Sequence, residues 1–472
     1  MVHVQYISTR GEAPELGFCD VTLAGLARDG GLYLPKTWPR LAPGEIEGLA
    51  GKSFAEIAVD VIAPFTGDEI SRTDLLAMAR EAYAQFGHPA VTPLVQIGRD
   101  RWVLELFHGP TLAFKDVAMQ LLARVMDHIL TKRGERATIV AATSGDTGGA
   151  AIEAFRGSSR VDVVILFPDG RVSDVQRRMM TTPTEANVHA LAIAGTFDDC
   201  QAQVKAMFNH LAFRDRLKLS AVNSINWARI VAQVTYYFAA GVALGAPHRK
   251  LSFVVPTGNF GDILAGWVAR QMGLPIERLV IASNANDILA RTLATGEYEI
   301  KGVTPTTSPS MDIQVSSNFE RYLFEASGRK ADVIRAQMGS LSQSGRFELG
   351  PAHQKLASEF KAASAGEADV AATIGATLAA SGYLAEPHTA CGLFAAAADP
   401  APRGTAEIVL ATAHPAKFPD AMVEITGARP ALPSRLSRLM TDPERISVLP
   451  NDQGRIEAFI EAHSRVTAGG RR

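Results

Sequence analysis

Cysteine is scarce: three in 472 residues, Cys19, Cys200 and Cys391, odd in number and far apart. That excludes a disulfide framework and leaves no Cys-x-x-Cys metal or redox site, a usage that fits a reducing, cytoplasmic setting. Neither sign of charge is in excess, with 47 Lys+Arg against 49 Asp+Glu and a formal net charge of −2. No basic stripe with interleaved aromatics tracks a phosphodiester backbone, so nucleic acid is excluded as an expected partner. Long apolar runs are missing too. Arg10, Glu12 and Glu15 interrupt residues 1–17, which therefore lack the apolar core of a secretory signal. The longest uncharged stretch, 230–248, carries Gln233, Thr235 and two tyrosines and runs into Gly-Ala-Pro. It predicts a buried core helix, not a membrane span.

What is present is apolar content of 47%, enough core for two or three domains. Residues 1–95 alternate turn-rich stretches with helical patterns such as 53–65 and 71–86 and hold little chemistry. From 102 onward, short apolar runs at 102–107, 138–142, 161–167, 188–192, 251–255, 279–282 and 407–411 each lead into turn residues and then a helical pattern. That alternation predicts α/β architecture with parallel sheets covered on both faces. The expected organisation is an N-terminal helical region, 1–95, then two α/β domains, 96–235 and 236–472.

One lysine stands out. Residues 102–116 read as a strand, a Gly109–Pro110 turn and a helix start, with Ala118, Leu121, Leu122, Val125 and Ile129 marking a buried face. Lys115 falls in the first turn, where the positive end of the helix disfavours the ammonium form and favours the nucleophilic amine that chemistry with a carbonyl cofactor needs. A lysine near a helix start is, equally, often just an exposed side chain.

Two glycine-rich turns follow strands. Thr-Ser-Gly-Asp-Thr-Gly-Gly (143–149) and Pro-Thr-Gly-Asn-Phe-Gly-Asp (256–262) both open helices, so their backbone N–H groups form candidate anion cradles. Neither is a Walker A loop or a dinucleotide fingerprint, which argues against a nucleotide. Each alone is as compatible with a tight connection, Asp262 capping its helix.

Taken together these stretches resemble the threonine synthases. The resemblance rests on Tyr-Ile-Ser-Thr-Arg-Gly (6–11), Leu-Ala-Gly-Leu-Ala (23–27), Asp-Gly-Gly-Leu-Tyr-Leu-Pro (29–35) and His-Gly-Pro-Thr-Leu-Ala-Phe-Lys-Asp (108–116). It also rests on both glycine turns, Pro-Ser-Met-Asp (309–312), Ser-Asn-Phe-Glu-Arg (317–321) and Ala-Thr-Ala-His-Pro-Ala-Lys-Phe (411–418). It spans nearly the whole chain and is closest to the bacterial and fungal branch.

The resemblance implies a type II pyridoxal-5′-phosphate (tryptophan synthase β-like) fold with the cofactor in a cleft between two α/β domains. Lys115 would hold it as a Schiff base, Gly258, Asn259, Phe260, Gly261 and Asp262 would receive its phosphate, and Thr412 would meet the pyridine nitrogen. Ser144, Gly145 and Thr147 resemble the loop that takes the substrate carboxylate. Asp146 stands near the cofactor's 3′-oxygen where the wider fold type commonly has asparagine, which leaves its protonation state open. The implied substrate is O-phospho-L-homoserine. For its phosphate the segment 223–229 offers Asn226 and Arg229 on one helical turn, with His108, Lys417 and Arg321 as competitors. His414, three residues before Lys417, reads as a core histidine, with a place in the ligand shell as the alternative. The branch suggests a monomer, with a homodimer as the alternative. A serine or threonine dehydratase of the same fold, or a catalytically silent metabolite-binding relative, are the competing functions.

Overall fold

Two parallel sheets carry the molecule, and the Lys115 loop lies where their strand ends meet. The computed structural model describes residues 4–143 and 145–466. The larger sheet has six strands in the order Lys361–Ser364, Ile276–Ser283, Leu251–Pro256, Ala406–Ala411, Arg101–Glu105 and Leu94–Gln96, and only the last pair is antiparallel. The smaller has five parallel strands in the order Ser447–Pro450, Val188–Ala194, Val161–Pro168, Ala137–Ala142 and Leu219–Ser220. The central strands are buried along their whole length, as Val161–Pro168 and Ala406–Ala411 are, because helices cover both faces.

All seven sequence-predicted strands are present, and the architecture is the expected α/β one. Domain membership differs. Arg101–Glu105, expected with the lysine domain 96–235, pairs with Ala406–Ala411 in the six-stranded sheet, while Ser447–Pro450, expected within 236–472, extends the five-stranded one. The chain therefore leaves and re-enters each unit. Near the C-terminus, Arg465 locks this return by donating to Asp162 at 2.5 Å.

The N-terminal region adds an antiparallel pair, Tyr6–Ser8 with Tyr33–Pro35, and helices including Phe54–Thr66 and Arg72–Tyr83. Ser53 starts the first of these with a capping box: its Oγ accepts from Glu56 N at 3.4 Å, and its own N–H donates to Glu56 at 2.9 Å. Ile57, Val61, Ile62 and Phe65 are buried, and Phe65 packs at 5.9 Å on Trp227 of the core helix Trp227–Ala243, the stretch expected to be a buried helix. No helix of the described residues is long and apolar enough to cross a membrane.

Arg321 ties this region to the rest. Its Nε donates to Tyr33 O at 2.8 Å, Nη2 to Ile225 O at 2.7 Å and Nη1 to Asn318 Oδ1. With 1% exposure and three acceptors filled, it anchors the fold and is not the substrate-phosphate ligand for which it was a competitor.

Candidate active site

Lys115 opens the helix Lys115–Arg133. Two devices set its position. Thr111 N–H and Oγ1 donate to the two Asp116 oxygens at 2.7 and 2.6 Å, closing the turn before the helix. The same turn is stitched to the end of the Ala406–Ala411 strand, with Phe114 N donating to Thr412 O at 2.8 Å and His414 N to Leu112 O at 3.0 Å. Backbone bonds thus bring Lys115 and Thr412, 297 residues apart in the chain, to one place.

Asp146, at the start of the helix Asp146–Phe155, is the hub. Its Oδ1 meets Lys417 Nζ at 2.6 Å and Gln176 Nε2 at 3.0 Å. Its Oδ2 accepts from Ser310 Oγ at 3.0 Å and lies 3.4 Å from Lys115 Nζ. Burial opposes ionisation, but Lys417 and Lys115 outweigh it and hold this carboxyl well below the usual carboxylate range. In the cofactor-free protein Asp146 therefore favours its ionised form.

Burial pushes the Lys115 amine below the ordinary lysine range; Asp146 opposes, and the Lys417 and Arg229 cations push further down. Asp146 sits closer to Lys417 than to Lys115, so the carboxylate has a partner even when Lys115 is neutral. A neutral buried amine is what attack on a carbonyl requires.

The turn 143–149 is built inward. Thr143 Oγ1 accepts from Gly145 N and Gly148 N, both at 2.9 Å, and among the described residues the N–H groups of Asp146 and Thr147 meet no acceptor. Gly145 has φ +145°, and a Cβ there would come within 2.6 Å of Gln176 Nε2, the atom that holds Asp146. Ser144, expected to bind the substrate carboxylate, lies outside the described residues.

The second turn joins Leu251–Pro256 to the helix Gly261–Gln271. Among the described residues, the N–H groups of 258–262 donate to no protein acceptor, while the acceptors point away: Gly258 O takes Ser316 Oγ at 2.6 Å and Asn259 Oδ1 takes Ser317 Oγ at 3.1 Å. Phe260 is left-handed at φ +61°, an unfavourable conformation held by its buried ring packed on Phe319 at 5.2 Å. The carboxyl of Asp262 does not cap this helix as a free surface aspartate would. Its Oδ1 accepts from Tyr236 at 2.5 Å and Tyr237 at 2.9 Å, and its buried Oδ2 has no partner.

Burial pushes Asp262 up to about 6, against the two tyrosine hydroxyls. An acid raised in the folded state contributes stability that is complete below the unfolded value and lost as pH rises through the folded one. In the cofactor-free protein Asp262→Asn is therefore expected to remove about 3 kcal/mol of pH-dependent destabilisation between pH 4 and 7.5. Urea unfolding of variant and wild type at both pH values checks this; parallel pH dependences would show that Asp262 titrates normally.

The segment before Trp227–Ala243 holds the pair expected to meet the substrate phosphate. Asn226 does not fit that role. Its Nδ2 donates to Thr22 O at 2.9 Å and Ala221 O at 3.2 Å, and its Oδ1 caps the helix at Ala228 N, 3.0 Å. Both its donors and its oxygen are engaged by backbone groups. Arg229 is different. It is 2% exposed, donates only Nη1 to Val222 O at 3.1 Å, leaves Nε unpartnered, and has no acidic partner among the described residues. Burial pushes it down to about 10. A desolvated guanidinium with no counter-charge is costly unless an anion joins it. Of the other competitors, His108 is paired with Glu105 at 2.7 Å, and Lys417 belongs to Asp146. His414 accepts from Ala416 N at 3.1 Å and packs on Phe107, and burial lowers it to about 4, as suits a core histidine.

Gln176 was not singled out from the sequence, and Ser310 only as part of a motif. Nothing in a lone glutamine on a helix signals a carboxylate 30 residues away.

Comparison with known proteins agrees with this geometry. Residues 5–83 match the family described as threonine synthase N terminus, 86–412 the pyridoxal-phosphate dependent enzymes, and 389–460 the threonine synthase C-terminal family. The threonine synthase of Pseudomonas aeruginosa is 48% identical over 462 residues, covering 98% of both chains. The chain belongs to the threonine synthase family.

Among solved members of that family, the pyridoxal-phosphate-bound threonine synthase from Brucella melitensis superposes with a TM-score of 0.96 at 58% identity, over 98% of this chain and 100% of that one. The yeast threonine synthase gives 0.93 at 37% identity, over 97% and 98%. The chain is thus a pyridoxal-phosphate enzyme of fold type II. The residues fit that cofactor on their own terms: a buried amine of lowered pKa at Lys115, and an N–H cradle at 258–262 without protein acceptors.

Proposed function

We propose that this chain converts O-phospho-L-homoserine and water to L-threonine and phosphate, acting as a carbon–oxygen lyase on a phosphate ester. One observation carries the reading: besides the open N–H groups of Asp146 and Thr147, which suit a carboxylate, the site has two further anion receptors, the N–H cradle at 258–262 and the buried Arg229 guanidinium, which has no acidic partner among the described residues. A cofactor phosphate takes one, and a substrate that brings a second phosphate takes the other. A dehydratase of the same fold has no use for the second.

The cofactor, when bound through Lys115, takes up the negative charge left as protons depart from the substrate. The N–H groups of Asp146 and Thr147, with Gly145 clearing the approach, suit the substrate carboxylate. Thr412, 6% exposed at the strand end, is the residue for the pyridine nitrogen, where a hydroxyl does not force protonation as a carboxylate would. Once displaced, Lys115 Nζ, its pKa lowered by burial, lies beside Asp146 and in its neutral form accepts the Cα proton. Lys115, once relieved of that proton, takes a second from Cβ as the Cγ–O bond breaks and phosphate departs toward Arg229. Protons then return, and water adds at Cβ. One lysine serves as base and then acid because Asp146 and Lys417 fix the charge around it. We infer a cytoplasmic, monomeric enzyme, with a homodimer as the alternative.

The test is phosphate release from O-phosphohomoserine with threonine formed, run beside serine deamination and with Lys115→Ala as control. Release and threonine are expected from wild type only, with a visible absorption band that borohydride abolishes and the variant lacks. Turnover of serine alone would move the function to a dehydratase.

A further inference from the structure

Ser310 joins the two halves of the site. Its hydroxyl donates to Asp146 Oδ2 at 3.0 Å, while its carbonyl and Met311 Cα lie so close to Gly258 that a Cβ there would meet them at 3.2 and 3.3 Å. The short turn Pro309–Met311 therefore sits between the Asp146 carboxylate and the phosphate cradle.

What holds that turn comes from a distant helix. His388, in Pro387–Ala398, accepts the Ser310 N–H on Nε2 at 3.2 Å. Its Nδ1 lies 2.7 Å from Glu386 Oε2. An Nε2 that accepts leaves Nδ1 as the donor, so Glu386 fixes the tautomer and the ring plane together. Glu386 is itself held: it accepts from His388 N at 2.9 Å, Thr389 N at 2.7 Å and Thr389 Oγ1 at 2.8 Å, and is 1% exposed. On the other flank Asn284 Nδ2 grips Ser308 Oγ at 2.9 Å and Asp312 Oδ1 at 2.8 Å, but neither contact is to Ser310.

We propose that His388, oriented by Glu386, is a positioning residue for the reaction: it fixes the Ser310 amide so that the Ser310 hydroxyl reaches Asp146 and the turn closes against Gly258. The inference rests on the proposed function for its kinetic readout only. Removing His388 frees the turn to rotate. Asp146 then loses one of the donors that hold it beside Lys115, and the cradle loses its wall.

The holoenzyme variants His388→Leu, His388→Gln, Ser310→Ala and the double variant Ser310→Ala/His388→Leu test this. A glutamine carbonyl can stand near the place of Nε2, so His388→Gln keeps an acceptor for Ser310. His388→Leu and Ser310→Ala are each expected to lower kcat about tenfold with KM within about threefold, as loss of a hydrogen bond to a charged group predicts. His388→Gln is expected to return kcat to within about threefold of wild type, and the double variant to fall within about twofold of Ser310→Ala, because the two residues act as one unit. Cofactor affinity, titrated by absorbance, is expected to weaken about fivefold in His388→Leu and not in His388→Gln. Wild-type kcat and cofactor affinity in His388→Leu would overturn the proposal. So would multiplying effects in the double variant, or a His388→Gln protein that folds and is no better than His388→Leu. Should wild type fail to release phosphate, the proposed function falls, and the cofactor titration still decides the role of His388.

Discussion

Replacing Lys417 with methionine is expected to cost about 3–5 kcal/mol of stability, the range for breaking one side of a buried ion pair. It should also reduce turnover at neutral pH by about a hundredfold or more. Both partners are deeply buried: Lys417 is 1% exposed, and Asp146 meets it at 2.6 Å. Without Lys417, the Asp146 charge has Lys115 as its remaining cation, at 3.4 Å. Lys417 also lowers the Lys115 pKa through its own positive charge. Both changes act in the same direction. They raise the pKa of Lys115, so more of it is ammonium at neutral pH and less is the free amine that condenses with a carbonyl. The rate at which the cofactor-free variant takes up pyridoxal phosphate should therefore rise at a more alkaline pH than in wild type. Stopped-flow absorbance across pH 6–10 measures that midpoint directly. An unmoved midpoint would show that Lys417 does not tune Lys115.

Arg229→Met should have the opposite combination of effects. Removing a buried cation that has no counter-charge among the described residues leaves cofactor-free stability unchanged or raised, since its desolvation is no longer incurred. Among the described residues, the one hydrogen bond forfeited is that to Val222 O at 3.1 Å. The KM for O-phosphohomoserine, however, should rise about thirtyfold to a thousandfold, the range for losing a buried, charge-paired contact. Thermal unfolding of the cofactor-free protein and steady-state kinetics separate these effects. A variant that is both strongly destabilised and normal toward substrate would mean that Arg229 serves the fold, as Arg321 does.

The contrast between those two arginines marks the limit of what could be read from the sequence. Residue type and motif membership do not reveal whether a buried guanidinium is satisfied. Arg321 finds Tyr33, Asn318 and Ile225; Arg229 finds one carbonyl. Asn226 illustrates the same point, since an asparagine immediately before a helical stretch reads equally well as a ligand or a cap, and here it caps. Lys115, the two glycine turns and the central strands were legible because hydrophobic period and turn chemistry are local. Short strands such as Leu219–Ser220 and Lys361–Ser364 were not, because their partners alone make them strands. Sheet membership is not legible in the sequence for the same reason: Arg101–Glu105 lies near the five-stranded unit in sequence, yet pairs across 306 residues with Glu407 and its neighbours. The Lys115–Asp146–Lys417 triad, with Gln176 and Ser310, draws on five separate segments, and no spacing rule links them.

The central claim is that of two lysines sharing one carboxylate, Lys115 is the free amine that binds the cofactor and Lys417 is its fixed cationic neighbour. Borohydride reduction of the holoenzyme followed by peptide mapping tests it most directly. The account predicts the pyridoxyl group on Lys115 alone, with Lys417 unmodified. Label on Lys417, or divided between the two, would contradict it.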